Sequence, residues 1–178
     1  TEGPWNGSYD FPYQHITDGL LHANNGDTVY VFTGIYNETI CINKSFSIRG
    51  QAKEDTITHG QNNHSVITIT TDNVSISQFT IRNSGGYQGD AGIIVTADST
   101  TITECTLYRT RIGISVQNNN GTVITSCRFH TNGYGILVSS SSNATIDSCT
   151  FYHNGIGAYL LETHGITITH SYADTNGI

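Results

Sequence analysis

An interval of 22 residues recurs through the second half of the chain. Cys105, Cys127 and Cys149 stand 22 apart, as do Ile102, Ile124, Ile146 and Ile168, and as do Asn132, Asn154 and Asn176. A repeat this short leaves few folds open, because one unit cannot enclose its own apolar side chains and must stack on its neighbours. Each unit opens with a Gly-apolar-x-apolar run: Gly92-Ile93-Ile94-Val95, Gly113-Ile114-Ser115-Val116, Gly135-Ile136-Leu137-Val138 and Gly157-Ala158-Tyr159-Leu160. A Thr-rich segment around the repeating Ile follows, and then a third segment: Cys105-Thr106-Leu107, Cys127-Arg128-Phe129, Cys149-Thr150-Phe151 and Ser171-Tyr172-Ala173. Short runs with period-two alternation and β-branched enrichment are strands. Three of them per unit leave no room for a helix.

The predicted fold is therefore all-β: a solenoid with coils of 22 residues, three short strands per coil, and strands paired in parallel from coil to coil at about 4.8 Å. Equivalent residues form columns along its axis: an Ile column, a Leu107-Phe129-Phe151 column, a buried Cys105-Cys127-Cys149 column and an Asn column. The Asn residues are expected at turn positions of positive φ, with their amides bonded to one another.

Going along the chain, residues 1–25 form a lead-in and cap, and residues 26–178 form the solenoid. In the cap, Ile16, Leu20 and Leu21 fall at helical spacing and predict a short amphipathic helix over residues 15–23, placed as a lid on the first coil. Val29 and Val31 point inward, as do Ile40, Ile42, Phe46 and Ile48, so alternation turns Cys41 outward. Residues 51–63 read as a polar excursion with strand character only around Ile57. Strands resume at Val66, Val74 and Phe79, and a longer turn over residues 83–90 carries Tyr87 and Asp90, a position where solenoids place binding loops.

The stretches Gly-Asp-Thr-Val-Tyr-Val (26–31), Gly-Ile-Tyr-Asn-Glu-Thr (34–39) and Ile-Asn-Lys-Ser-Phe-Ser-Ile-Arg-Gly (42–50) resemble the opening of right-handed parallel β-helix proteins of the pectin-lyase-like, NosD-type and "carbohydrate-binding and sugar hydrolase" repeat families. The Gly-Ile-x-Val and Ile-Thr-x-Cys-x-Phe units are similar to the coils of those families, with Cys at the usual bend Asn. The resemblance covers almost the whole chain. It implies a right-handed parallel β-helix and an exported protein of the kind abundant in archaeal envelopes, surface layers and sheaths. It leaves function open among lyases, hydrolases, epimerases, copper-maturation factors and inert surface proteins.

Charge narrows the partners. The formal net charge is −7, from 14 carboxylates against 7 Lys and Arg. No basic patch for nucleic acid is visible, and acidic polysaccharides are expected to need an intervening cation. No apolar run reaches membrane-spanning length. Seven Asn-x-Ser/Thr sequons, at Asn6, Asn37, Asn43, Asn63, Asn73, Asn120 and Asn143, permit an extracellular, glycosylated protein.

Glycoside hydrolysis needs two carboxyl groups about 5 to 9.5 Å apart, but Glu104 and Asp147 fall in different columns two coils apart. No metal or cofactor is expected: the His residues are placed so that no column holds two, and the Cys column is too dry for a tetrahedral site. Tyr108, His130 and Tyr152 form an outward column above Asp174, which reads either as a strip on which sugar rings stack or as neighbours packing on one another. Cys41 is the candidate for an intermolecular disulfide. The leading expectation is a non-catalytic structural subunit that self-associates head to tail and laterally, since the last coil carries no lid. A carbohydrate-binding or carbohydrate-cleaving domain is the alternative.

Overall fold

A computed structural model describes residues 6–177. It is a right-handed parallel β-solenoid built from three parallel sheets, with one helix, α1 (Ile16–His22), at its N-terminal end. Sheet A contains β1 (Thr28–Val31), β4 (Ser47–Gly50), β7 (Ser75–Ser77), β10 (Thr101–Thr103), β13 (Val123–Thr125), β16 (Thr145–Asp147) and β19 (Thr167–Thr169). Sheet B contains β2 (Gly34–Tyr36), β5 (Thr56–His59), β8 (Thr80–Arg82), β11 (Thr106–Tyr108), β14 (Arg128–His130), β17 (Thr150–Tyr152) and β20 (Tyr172–Asp174). Sheet C contains β3 (Ile40–Ile42), β6 (Ile67–Ile69), β9 (Ala91–Val95), β12 (Ile112–Gln117), β15 (Tyr134–Ser139) and β18 (Ile156–Leu161).

The register follows the repeat. Sheet A aligns Val29, Ile48, Ile76, Ile102, Ile124, Ile146 and Ile168 in one inward column. Sheet B aligns Thr58, Ile81, Leu107, Phe129 and Phe151, with the two Phe rings stacked at 5.0 Å. Sheet C supplies two columns, one beginning Ile40-Ile67-Ile93 and one beginning Ile42-Ile69-Val95. Each fully buried Ile, Leu or Phe contributes about 1.5–3 kcal/mol. This lumen is the core of the molecule.

The glycines that open the repeats have a steric reason. A Cβ on Gly113 would lie 2.3 Å from the Gly135 carbonyl oxygen, and one on Gly135 would lie 2.4 Å from that of Gly157. Sheet C closes to its observed spacing only because these positions carry no side chain.

The helix lid is tied down at both ends. The Glu38 carboxylate accepts the Ile16 and Thr17 backbone N–H groups, both at 3.0 Å, satisfying the free donors of the first turn. The Lys44 ammonium donates to the Leu21 and Ala23 carbonyls at 2.9 and 2.8 Å, closing the last turn. Ile16 and Leu20 face the core as predicted, whereas Leu21 is 70% exposed.

Two further expectations change. Residues 56–59 are a full strand of sheet B, not an excursion. The inward positions there are Thr56 and Thr58, both buried, so the rung shows no apolar alternation. The Asn column does not hold the positive φ angles either: Arg109, Thr131, His153 and Thr175 hold them, one residue before each bend Asn or its equivalent. The Asn side chains act along the axis instead. Asn132 Oδ1 accepts the Thr110 N–H and hydroxyl, and Asn132 Nδ2 donates to the Leu107 carbonyl; Asn154 and Asn176 repeat the pattern one and two coils on.

Candidate functional site

On the outer face of sheet B, His59, Arg82, Tyr108, His130, Tyr152 and Asp174 follow one another in a single column. His59 and His130 thus share a column, contrary to the expectation that no two histidines do, but Arg82 and Tyr108 stand between them. Tyr108, His130 and Tyr152 come together as the repeat predicted. Their rings are stacked face to face, Tyr108 on His130 at 4.8 Å and His130 on Tyr152 at 4.9 Å, with interplanar angles of 9° and 11°. The Arg82 guanidinium covers the upper side of Tyr108 at 5.9 Å from the ring centre and donates to its hydroxyl at 2.9 Å. Because each ring covers its neighbour, the column offers ring edges, hydroxyls and imidazole nitrogens to a ligand rather than open faces.

The turn over residues 83–90 folds against sheet C and forms a cleft of about 200 Å³ lined by Gln88, Arg111, Ser115, Gln117, Tyr134 and Leu137, among others. Asp90 is a loop-closing residue: its carboxylate accepts the Tyr87 N–H at 2.9 Å and its own N–H bonds the Tyr87 carbonyl. Tyr87 stands free at 79% exposure. Ser84 Oγ accepts the Arg111 N–H at 3.0 Å, so the loop is pinned to the strand entry that carries Arg111. The Arg111 guanidinium lies 5.7 Å from the Tyr134 ring centre. Among the described residues, the cleft lining contains a cation, hydroxyls and amides but no carboxylate.

Arg82, Arg109, Arg111 and Arg128 therefore gather on sheet B and on its corner with sheet C, within three consecutive coils. Among the described residues, none of the four lies within 4.0 Å of a carboxylate, although the chain has 14 of them. His130 sits among these cations. Its imidazole is held below the ordinary value, first by burial and then by the charges of Arg128, His153 and Arg109. Two outer-face polar atoms in the same patch, Arg82 Nε and Thr106 Oγ1, are buried without a hydrogen-bond partner.

Elsewhere, Asp147 accepts hydrogen bonds from His170 at 2.7 Å, Thr169 at 2.7 Å and Ser148 at 3.0 Å, which lower its carboxyl to about 2. Glu104 is not part of that group; it bonds Gln78. All four cysteines are free. Cys105, Cys127 and Cys149 are buried, and each thiol donates to the carbonyl two residues earlier at 3.3 Å, so all three share one orientation. Burial pushes the Cys127 thiol well up. Cys41 is exposed on sheet C. Among the described residues no group of three or more His, Cys, Asp or Glu is placed to hold a metal.

The arginine corner was not legible from the sequence. Its members do not recur at the 22-residue step, and only the register across β8, β11 and β14 brings them together.

Residues 91–178 match the model of the right-handed β-helix region family. The sequence matches no curated protein. Among solved structures, the fold is similar to a pectin methylesterase in complex with a hexasaccharide, at 14% identity and TM-score 0.67 over 97% of this chain and 66% of that one. It is also similar to the A-module of an Azotobacter vinelandii mannuronan C-5 epimerase, at 15% identity and TM-score 0.72 over 90% of this chain and 50% of that one. A third is a putative glycosyl hydrolase from Parabacteroides merdae, at 13% identity and TM-score 0.64, covering 83% of each chain. The chain thus spans two thirds or less of the length of the first two.

Proposed function

Taking as premise that this chain is a right-handed parallel β-helix, we propose that it is a non-catalytic carbohydrate-binding module of the cell exterior that holds an acidic glycan at the corner of sheets B and C. The observation that carries this reading is the set of four arginines that have no carboxylate partner among the described residues, in a chain of net charge −7. Arginine left unpaired at a surface is suited to bidentate binding of a carboxylate or sulfate. The net charge masked this patch, because the carboxylates are distributed over the rest of the chain. The cleft under residues 83–90 adds Tyr134, Gln117 and Ser115 as neutral partners for hydroxyls. Its lack of a carboxylate supports binding over cleavage. The similar folds include proteins acting on pectin and mannuronan, which supports a polysaccharide as the ligand class.

The test is calorimetric titration with polygalacturonate and with its fully methyl-esterified form. We expect at least tenfold tighter binding of the acid at low salt, fading as the Debye length falls from about 30 Å at 0.01 M to about 8 Å at 0.15 M. Arg109→Gln with Arg111→Gln should remove most of that preference. Affinity should also rise as pH falls from 7 toward 5. Burial and then the charges of Arg128, His153 and Arg109 push the His130 imidazole below its ordinary value in the free protein, and a bound anion favours its charged form. Equal affinity for ester and acid would remove the reading.

A second reading, self-association, rests on the last coil. Tyr159, Leu160, Leu161, Ile168 and Tyr172 are 40–62% exposed there, and β18, β19 and β20 form one edge of their sheets. Helix α1 covers the opposite end, so the strand edge offered for pairing, by a further coil or by a second copy, is the one at β18 to β20. Association by that route, with Cys41 as a lateral cross-link, predicts a sedimentation coefficient that rises with concentration and a reductant-sensitive band in electrophoresis. A concentration-independent monomer excludes it.

A further inference from the structure

A cavity lies at the N-terminal end. Of about 660 Å³, within the range of small-molecule sites, it opens between residues 6–13, α1 and β1. Three rings define its aromatic side. Phe32 meets Tyr9 at 5.2 Å with an interplanar angle of 70°, and meets Tyr30 at 5.6 Å with an angle of 88°. Both tyrosine rings are thus close to perpendicular to one phenylalanine ring. Tyr13, stacked at 4.9 Å on His22, and Tyr36 line the same space. Tyr36 is fixed by its hydroxyl, which donates to the Phe32 carbonyl at 3.0 Å.

The segment carrying Tyr9 is preorganised. The Asn6 and Gly7 N–H groups both bond the Phe11 carbonyl at 3.1 Å, and Asn6 Oδ1 accepts the Ser8 N–H at 3.0 Å, closing a turn with Tyr9 inside it. Gly7 has φ of +78°, and a Cβ there would lie 2.5 Å from the Tyr13 ring, so glycine lets the turn close onto that ring.

The charges lining this cavity are the reverse of those at the arginine corner. Among its described lining residues are Asp27 and two histidines, and no Lys or Arg. Aromatic rings around a volume without a competing cation, in a chain of net charge −7, form an environment that attracts positive charge to ring faces. A sugar is less well matched, because it needs several convergent hydroxyl partners. Here the Tyr36 hydroxyl is already bonded, and Asp27 Oδ2 accepts the Asn24 N–H at 2.8 Å.

We propose that this cavity is a binding site for a small organic cation of the quaternary ammonium class, caged by Tyr9, Tyr30 and Phe32. The site is distant in the fold from the glycan corner and stands independently of it.

The test is calorimetric titration of the full chain with choline, with tetramethylammonium and with 3,3-dimethylbutan-1-ol, the uncharged isostere of choline. The expected result is saturable binding of both cations and at least tenfold weaker binding of the isostere. Tyr30 is half exposed, so Tyr30→Leu leaves the fold intact; it should weaken choline about tenfold, and Tyr30→Phe should restore most of the loss. Trp5 precedes the first lining residue and lies outside the described residues, so Trp5→Ala is titrated alongside. Isostere binding equal to that of choline, choline binding unchanged in Tyr30→Leu, or no binding by either the parent chain or Trp5→Ala would each overturn the proposal.

Discussion

Asn132→Ala is expected to lower the unfolding free energy by about 3 kcal/mol, measured by urea denaturation. The Asn132 amide oxygen accepts both the Thr110 N–H at 3.0 Å and the Thr110 hydroxyl at 2.7 Å, and all of these atoms are buried. Alanine orphans two donors at once, and each buried unsatisfied group costs about 1–3 kcal/mol. The loss of the bond to the Leu107 carbonyl adds to this, and the share that comes from the Thr110 hydroxyl can be checked in a second background. In Thr110→Val the hydroxyl is absent, and Asn132→Ala should then cost measurably less. A loss below about 1 kcal/mol in the parent chain would mean that the bend does not depend on this amide.

Gly135→Ala should be comparably damaging for a different reason. The added methyl would sit 2.4 Å from the Gly157 carbonyl oxygen and 2.8 Å from a Phe151 ring carbon. Neither can retreat freely: the carbonyl belongs to the neighbouring rung of sheet C, and Phe151 is buried against Phe129. Overpacking of this kind costs typically about 1–3 kcal/mol and occasionally more. Gly86→Ala is the matched control, since a Cβ there meets nothing within 4 Å. It should be neutral or slightly stabilising, by about 0.4–1 kcal/mol, through the unfolded chain. Equal melting temperatures for the two variants would mean that the glycine column is not a steric requirement.

How legible the molecule was depended on whether a feature repeats. The Ile column of sheet A and the Tyr108-His130-Tyr152 column could be read because each member returns after 22 residues, and the register places them as expected. Strand β5 could not be read, because its inward residues are Thr56 and Thr58 and polarity alone gave no alternation. The backbone conformation at the bends was assigned to the wrong neighbour. Asn is the residue type that best tolerates positive φ, but here Thr131 and His153 adopt it while Asn132 and Asn154 use their amides to join coils. The ring geometry of the aromatic column was equally out of reach: the sequence placed the side chains, but only coordinates reveal that they lie flat on one another.

The perpendicular rings at Phe32 and the arginines at the corner of sheets B and C carried no periodic sequence signal. Each joins a locally adjacent pair, Tyr30 with Phe32 and Arg109 with Arg111, to residues from other segments that do not stand at the repeat step. In a repetitive fold, what departs from the period is where individuality resides.

That has a bearing on the sheet B face. A surface whose parts recur at one constant step is, to a linear polymer, degenerate under sliding: a strand displaced by one coil meets nearly the same scenery. Arg82, Arg109 and Arg128 do not recur at that step, so they interrupt this translational sameness over three consecutive coils. For a glycan bound as proposed, they would act as a detent, fixing where along the rod the chain comes to rest.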